Sequence, residues 1–296
     1  MKILVTGANG QVGWELARRG AQQGFEMLTS DLGELDITDY DAVKRTIREM
    51  APSLVVNAAA YTAVDRAESE PDLAVAVNRD GPGNLASACA QAGIPLIHIS
   101  TDYVFDGLKT EPYVEREPVS PLGVYGRSKA AGDSEVRACL PEHIILRTAW
   151  LYGIHGQNFV KTILRLAGER ETLRVVADQY GCPTYAADLA EAILNIAAHL
   201  REGRRNAWGT YHYCGKGVTT WHHFAEAICE EARKHASLKV REIVAIPTEE
   251  YPTPAKRPAN SALDCSLLTK TFGISPKPWR ESLAAMIEQL YQRESF

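Results

Sequence analysis

Short apolar runs alternate with longer amphipathic stretches through the first half of the chain. Runs of strand length fall at 3–5, 27–28, 54–56, 95–99 and 144–146, and segments of helical spacing fill the gaps at 11–23, 39–50, 71–92 and 122–139. Strand and helix in turn predict βαβ units and a parallel sheet covered on both faces. After Trp150 the rhythm changes: a helix is expected at 158–167, a short strand at 174–176 and a helix at 187–200. A strand at 211–214, a helix at 221–235 opened by Thr219 and Thr220, a strand at 240–246 and a terminal helix at 278–292 follow. Pro247, Pro252, Pro254 and Pro258 punctuate the stretch before that last helix, which can therefore be neither regular helix nor central strand and is expected as a surface loop.

The expected fold is α/β: a Rossmann-type doubly wound parallel sheet with a smaller, interleaved C-terminal α/β substrate-binding domain. Residues 1–150 form the dinucleotide-binding domain, to which 173–200 return, while 151–172 and 201–296 form the second domain. A chain of 296 residues with 45% apolar content is long enough to bury a sizeable core in this arrangement.

Charge and cysteine usage narrow the function classes. A net charge of -5 leaves no broad basic field, so neither nucleic acid nor an anionic membrane is an expected partner, and any phosphate must be held locally. None of the six cysteines stands at C-x-x-C spacing, no stretch approaches a spanning helix, and the apolar run at the N-terminus is too short for a signal peptide. A reducing cytoplasm is the expected compartment, and a monomer or homodimer the expected assembly.

The first strand runs directly into Thr6-Gly7-Ala8-Asn9-Gly10-Gln11-Val12-Gly13, which opens the first helix. Gly7 permits the tight turn, Gly10 lets backbone approach a pyrophosphate and Gly13 lets helix and sheet pack closely, with the helix N-terminus facing the phosphates. The G-x-x-G-x-x-G spacing points to short-chain dehydrogenases. Asp31, about twenty residues on, can accept from adenosine ribose hydroxyls or serve only as a turn carboxylate. Leu32, Gly33 and Glu34 follow it without a cation, which favours NADH over NADPH. Asp36 and Ile37 can flank the adenine, although helix capping by Thr38 or Asp39 explains that neighbourhood equally well. After the third strand, Asn57-Ala58-Ala59-Ala60-Tyr61-Thr62 leaves room at a strand end for a ligand to touch backbone. Tight packing competes as the reason for Ala58 and Ala59.

Tyr125 and Lys129 stand four apart on a predicted helix, so both project from one face. A phenol is a poor proton donor or acceptor at neutral pH, and a nearby cation is expected to lower its pKa. Tyr125 then serves as general acid toward a carbonyl oxygen while hydride reaches the carbon. Ser100-Thr101 ends the fourth strand and supplies a hydroxyl, with Thr101 preferred over Ser100. Alone, Y-x-x-x-K is usually a solvated helix face; the glycine turn and the hydroxyl strand end change that reading.

These residues, together with the blocks 57–68, 100–107, 121–129, 147–152, 178–184 and 257–264, make the chain resemble the dTDP-4-dehydrorhamnose reductases, a family of extended short-chain dehydrogenases, over nearly its whole length. The resemblance implies hydride transfer from NAD(P)H to the 4-keto carbon of dTDP-4-dehydro-L-rhamnose. It places Thr101, Tyr125 and Lys129 at catalytic positions and Asp102, Tyr103 and Trp150 against the sugar, with Val64 lining the sugar pocket. Gly10, Gln11, Val12, Asp31, Asp36, Ile37, Ala60, Tyr61 and Thr62 fall at cofactor positions. Ala149 and Cys182 depart from the family's commoner Ser and Ala. Some relatives hold Mg²⁺ through acidic residues at a dimer contact, for which Glu15 is a possible match, but an exposed helix carboxylate is usually solvated and no metal site is assigned.

For the nucleotide diphosphate, Lys256-Arg257 is the local cation pair, with solubility as an equal explanation. Asn158 either contacts the sugar diphosphate or caps the helix at Phe159. His222 and His223 are neighbours on a helix, so their rings are expected to diverge and merely pack behind Trp221. The rival readings are another nucleotide-sugar epimerase or dehydratase, for which the acid pair beside the hydroxyl strand end is missing because Tyr103 follows Asp102, and a non-catalytic regulatory subunit of the same fold. The joint presence of Thr101, Tyr125 and Lys129 argues against the latter.

Overall fold

The computed structural model describes residues 1–204 and 207–294. The main strands are β1 (Lys2–Thr6), β2 (Glu26–Ser30), β3 (Leu54–Asn57), β4 (Leu96–Thr101), β5 (His143–Thr148), β6 (Thr172–Val176), β7 (Gly209–His212) and β8 (Glu242–Ile246). The main helices are α1 (Gln11–Gln22), α2 (Tyr40–Met50), α3 (Gly81–Ala92), α4 (Val124–Cys139), α5 (Phe159–Glu169), α6 (Ala186–Arg201), α7 (Trp221–Ala232) and α8 (Trp279–Glu294). Six strands pair in parallel in the order β7-β5-β4-β3-β1-β2. Every residue of β3 and β5 is buried, as expected of strands covered on both faces. One face packs on α1 and α6 through Val5, Leu16, Val56, Leu189 and Ile193. Leu4, Val43, Val55, Leu85 and Val136 fill the other, under α2, α3 and α4.

The chain steps from β1 outward to β2 and then back past β1 to β3, so the order of winding reverses between β1 and β3. In an open α/β sheet, ligands bind at the carboxyl ends of the strands at such a reversal. Both the glycine turn after β1 and the Asn57–Thr62 segment after β3 open there.

Two strands depart from the expected division. The run at 174–176 is expected to return with α6 to the main sheet. Instead β6 pairs with β8, register Leu173 to Ile243 and Val175 to Ala245. Its pattern gives the reason: Leu173 and Val175 are buried while Arg174 is exposed, which suits a sheet with one wet face rather than one covered on both. Conversely β7, expected in the second unit, pairs with β5 and closes the main sheet's edge, with Tyr211 buried in the core beneath it. The expected second domain also includes 205–206 and 295–296, which lie outside the described residues. The smaller layer consists of α5, α7 and α8 on the β6/β8 pair, around Ile163, Leu173, Phe224, Ile228, Leu283 and Ile287. The single helix expected at 71–92 is interrupted: Pro71–Val75 and α3 are joined by a π-helical turn, Ala76–Asp80.

Candidate active site

The glycine turn has the form a dinucleotide needs. Gly7 takes φ +70°, and a β-carbon there would lie 2.5 Å from Ala59 N, so turn and β3 end lie in direct contact. A β-carbon on Gly13 would meet Gly7 O at 2.2 Å, which explains the close helix-sheet approach. Gly10 is different: it is exposed, and a β-carbon would meet only Gly7 O at 3.2 Å, so a ligand can approach the turn closely there. Gly10 is the N-cap of α1, where no side chain caps the helix and no acid stands in the first turn. The N–H groups at this end are therefore aimed at an anion, and the residues present fit a bound pyrophosphate.

The other expected cofactor positions divide into backbone, core and rim. Asp31 accepts from Asn9 N–H at 2.7 Å and Leu32 N–H at 2.7 Å, tying the β2 end to the glycine loop. Asp36 accepts from the Thr38 N–H and hydroxyl and so forms a local turn. The Ile37 side chain is buried in the core against Gly81, so it is not itself an adenine wall. Val12 is likewise buried. Ala58, Ala60 and Tyr61 are half-buried and Thr62 exposed along the crevice. Tyr61 donates to Glu70 at 2.6 Å, and its own N–H donates to Asn78 Oδ1 at 2.9 Å.

At the end of β4, Thr101, Asp102, Tyr103 and Tyr125 come together. Thr101 donates to Asp102 Oδ1 at 3.0 Å and accepts from Tyr103 N–H at 3.2 Å. The Tyr103 and Tyr125 rings meet edge to face at 5.6 Å. Burial pushes the Tyr125 phenol up to about 12; hydrogen bonding with Thr101 opposes this, and the charges of Asp102 and Asp133 add to it. The phenol is thus raised by burial rather than lowered by Lys129 as expected, and Tyr125 keeps its proton at neutral pH. Thr101, rather than Ser100, is the hydroxyl acting on it. Burial also raises the Asp102 carboxyl to about 6, against the hydrogen bonds of Ser261 and Thr101.

Lys129 sits in a buried polar chain that no local pattern announces. Its ammonium donates to Ile99 O at 2.7 Å and lies 3.5 Å from His98 Nε2. Burial lowers Lys129 to about 8, while the negative charge of Asp133 works in the opposite direction. Asn57 accepts from Thr6 Oγ1 and Ala59 N–H, which orients its amide so that Nδ2 donates to His98 Nδ1 at 3.1 Å. His98 is then a neutral ring with its hydrogen on Nε2, and burial followed by the Lys129 charge holds its pKa well below the usual value. Asp133, fully buried, accepts from Arg147 Nε at 3.1 Å. Asn78, on the π turn, donates to Tyr61 O and Ser128 Oγ and so ties the crevice segment to α4. The partners of Lys129 come from β4 and from its own helix, and the chain runs on to Asn57 on β3 and Arg147 on β5, so spacing alone cannot reveal them.

Next to Tyr103, a cavity of about 430 Å³ is lined by Asp65, Tyr103, Phe159, Gln179, Trp221 and Arg257 among others. Trp150, at φ +46°, stacks on Trp221 with centroids 3.5 Å apart and planes 7° apart. A β-carbon on Gly181 would meet Trp150 at 2.3 Å, so the indole rests flat on that glycine. In sequence Trp221 reads as packing at a helix start, whereas the structure makes it a wall of the cavity. Arg257 lines the cavity and donates to Asp65 Oδ2 at 2.9 Å; Lys256 is exposed to solvent. Val64 is half-buried at the start of the short helix Val64–Ala67 that carries Asp65. Asn158 is a cap: it accepts from Lys161 N–H, and its amide hydrogens go to Gln11 Oε1 and Gly153 O, leaving none for a sugar. Ala149 and Cys182 are core residues. Glu15, expected on the surface, is buried; its Oε2 accepts from Arg18 and Arg19, and its Oε1 is buried without a hydrogen-bond partner.

A glycine turn at the reversal point of a parallel sheet, with a hydroxyl, a phenol and an ammonium at the neighbouring strand ends, defines an extended short-chain dehydrogenase/reductase. The family model described as the RmlD substrate binding domain matches residues 1–292. A dTDP-4-dehydrorhamnose reductase of Sinorhizobium fredii is 46% identical, covering 97% of each chain. The enzyme of that name from Escherichia coli K12 is 40% identical over 98% of each. Among solved structures, the Clostridium acetobutylicum dTDP-4-dehydrorhamnose reductase superposes with TM-score 0.91 at 42% identity, covering 98% of this chain and 99% of that one. The Bacillus anthracis enzyme, in complex with NADP, gives TM-score 0.89 at 38% identity, covering 97% and 99%. The chain belongs to the dTDP-4-dehydrorhamnose reductase family.

Proposed function

We propose that the protein reduces the 4-keto group of dTDP-4-dehydro-L-rhamnose to the alcohol, giving dTDP-L-rhamnose for polysaccharide synthesis. The observation that carries this reading is the half-buried Tyr125 phenol, packed edge to face on Tyr103 beside the Thr101 hydroxyl at the strand end. When bound, the reduced nicotinamide supplies the hydride. Tyr125 donates its proton to the ketone oxygen, and Thr101, turning its hydroxyl from Asp102, orients that oxygen by a hydrogen bond. Lys129 carries the positive charge that stabilises the phenolate left behind. Arg257 meets the diphosphate as a forked donor, exchanging part of its pairing with Asp65, and Trp150 and Trp221 form an apolar wall for the deoxysugar. Incubating the protein with dTDP-4-dehydro-L-rhamnose and NADH or NADPH should consume reduced-nicotinamide absorbance in proportion to ketone; no oxidation with either cofactor would overturn the proposal.

NADH is the favoured donor, because Asp31 places a carboxylate where a 2'-phosphate would lie and no cation follows it in sequence. The Bacillus anthracis relative in complex with NADP bounds this preference to a ratio rather than an exclusion. Asp31→Ser should shift the NADPH to NADH ratio of kcat/KM upward by on the order of tenfold, ~1.4 kcal/mol. The six free cysteines fit a reducing compartment, so we place the reaction in the cytoplasm.

The Lys129 charge sets an alkaline limit. An ammonium held at about 8 is present below that pH and lost above it, so kcat/KM should fall as pH rises through about 8. A profile flat to pH 10 would mean that the Lys129 charge does not stabilise the phenolate.

A further inference from the structure

The start of α7 gathers three ligand-type side chains outside the cavity. His222 and His223 are expected to diverge, yet one donor atom from each of His222, His223 and Glu226 lies within 4.8 Å of the other two. Glu226 follows His222 by one helical turn and so shares its face. His222 is buried, whereas His223 and Glu226 are exposed.

The surroundings of His222 set its ring. Its Nε2 lies 2.9 Å from the Ile243 carbonyl oxygen on β8, so that nitrogen carries the hydrogen and donates it. In the neutral ring Nδ1 then holds a lone pair. That lone pair faces Glu226 Oε2 at 3.5 Å, acceptor against acceptor, an arrangement that calls for a proton or a cation between them. Ligand atoms ~2.0–2.1 Å from a tetrahedral ion lie about 3.4 Å apart, close to the 3.5 Å between His222 Nδ1 and Glu226 Oε2, with the His223 donor within 4.8 Å of both and needing to move inward to join them. A carbonyl holding the second ring nitrogen is also how metal-binding imidazoles are oriented.

We propose that His222 Nδ1, His223 and Glu226 form a site for one divalent transition-metal ion, with Zn²⁺ the best match to two imidazoles and a carboxylate and solvent completing the tetrahedron. The inference is independent of the reductase reading. Arg233, Arg241, Arg280 and Glu230 share a hollow with Glu226. Arg233 is engaged with Val240 O, Arg241 lies 3.9 Å from Glu171 and Arg280 lies 3.7 Å from Glu230, so Glu226 is left to the histidines. An ion at this position would fasten the first turn of α7 to β8 through His222, directly behind Trp221 in the cavity wall.

The test uses the full chain freed of any histidine tag and stripped with EDTA, titrated with Zn²⁺ by calorimetry and with Co²⁺ by visible absorption. One ion per chain is expected, with a Co²⁺ band of tetrahedral intensity and a Tm that rises with Zn²⁺. His223→Ala and Glu226→Gln, both at exposed positions, should keep the metal-free Tm and each weaken Zn²⁺ at least ~10-fold. Absence of saturable binding, or unchanged affinity in either variant, would overturn the proposal. So would a sulfur-to-cobalt charge-transfer band, which would move the ion to Cys182, Cys214 and Cys265.

Discussion

Tyr125→Phe is expected to lower kcat by about 10²–10⁴-fold while leaving dinucleotide affinity nearly unchanged. The substitution removes one oxygen and keeps the ring that meets Tyr103 edge to face, so the packing at the end of β4 survives. What it removes is the proton that burial holds on the phenol. Asp102 is the neighbouring acid that could stand in. Its carboxyl, raised to about 6, is largely ionised at pH 7.5 and is already accepting from Thr101, so rescue through it would show only in acid. Single-turnover rates with a cofactor titration beside them separate the two effects. A rate within about threefold of the wild type at pH 7.5 would place the acid elsewhere.

Asp133→Asn is expected to destabilise the fold by ~3–5 kcal/mol, because it strands the buried Arg147 guanidinium without its counter-charge. Arg147 also lies over the Phe105 ring at 5.3 Å and is buried on β5, one strand in from the sheet's edge. Urea unfolding measures the loss, and Asp133→Asn combined with Arg147→Met should recover a large part of it. In the folded fraction a second effect follows from sign alone. Asp133 supports the Lys129 charge against burial, so its removal lowers Lys129 further and moves the alkaline limb of kcat/KM to lower pH. Stability within about 1 kcal/mol of the wild type, with the limb unmoved, would refute both parts.

The features readable in the sequence are the ones whose chemistry is local. The glycine turn, Thr101 at a strand end and the Tyr125–Lys129 spacing each occupy fewer than nine consecutive residues, and their geometry follows from one strand-turn-helix or one helical turn. His98, Asn57 and Arg147 look in sequence like ordinary members of apolar strands. Only the register β3-β4-β5 and the packing of α4 set them beside Lys129 and Asp133. Trp221 is hidden for the same reason, since its partner Trp150 lies 71 positions earlier. The placement of β6 and β7 shows a different limit. Alternation identifies both as strands, but which edge a short strand joins depends on whether its outer face is wet, and Arg174 and Tyr211 decide that only after neighbours are known.

The interleaving of the two layers also constrains how such a molecule can diversify. The chain leaves the main sheet after β5, builds part of the smaller layer, returns for α6 and β7, and leaves again. A cut at residue 150 would strip the sheet of its last strand and bare Val5, Leu16 and Val56, which α6 covers. Neither layer is a cassette that recombination could lift out whole. On the function proposed above, new sugar specificities on this frame would therefore arise by point changes and loop-length changes around the cavity, at Trp221 and the 247–258 segment, rather than by exchange of domains.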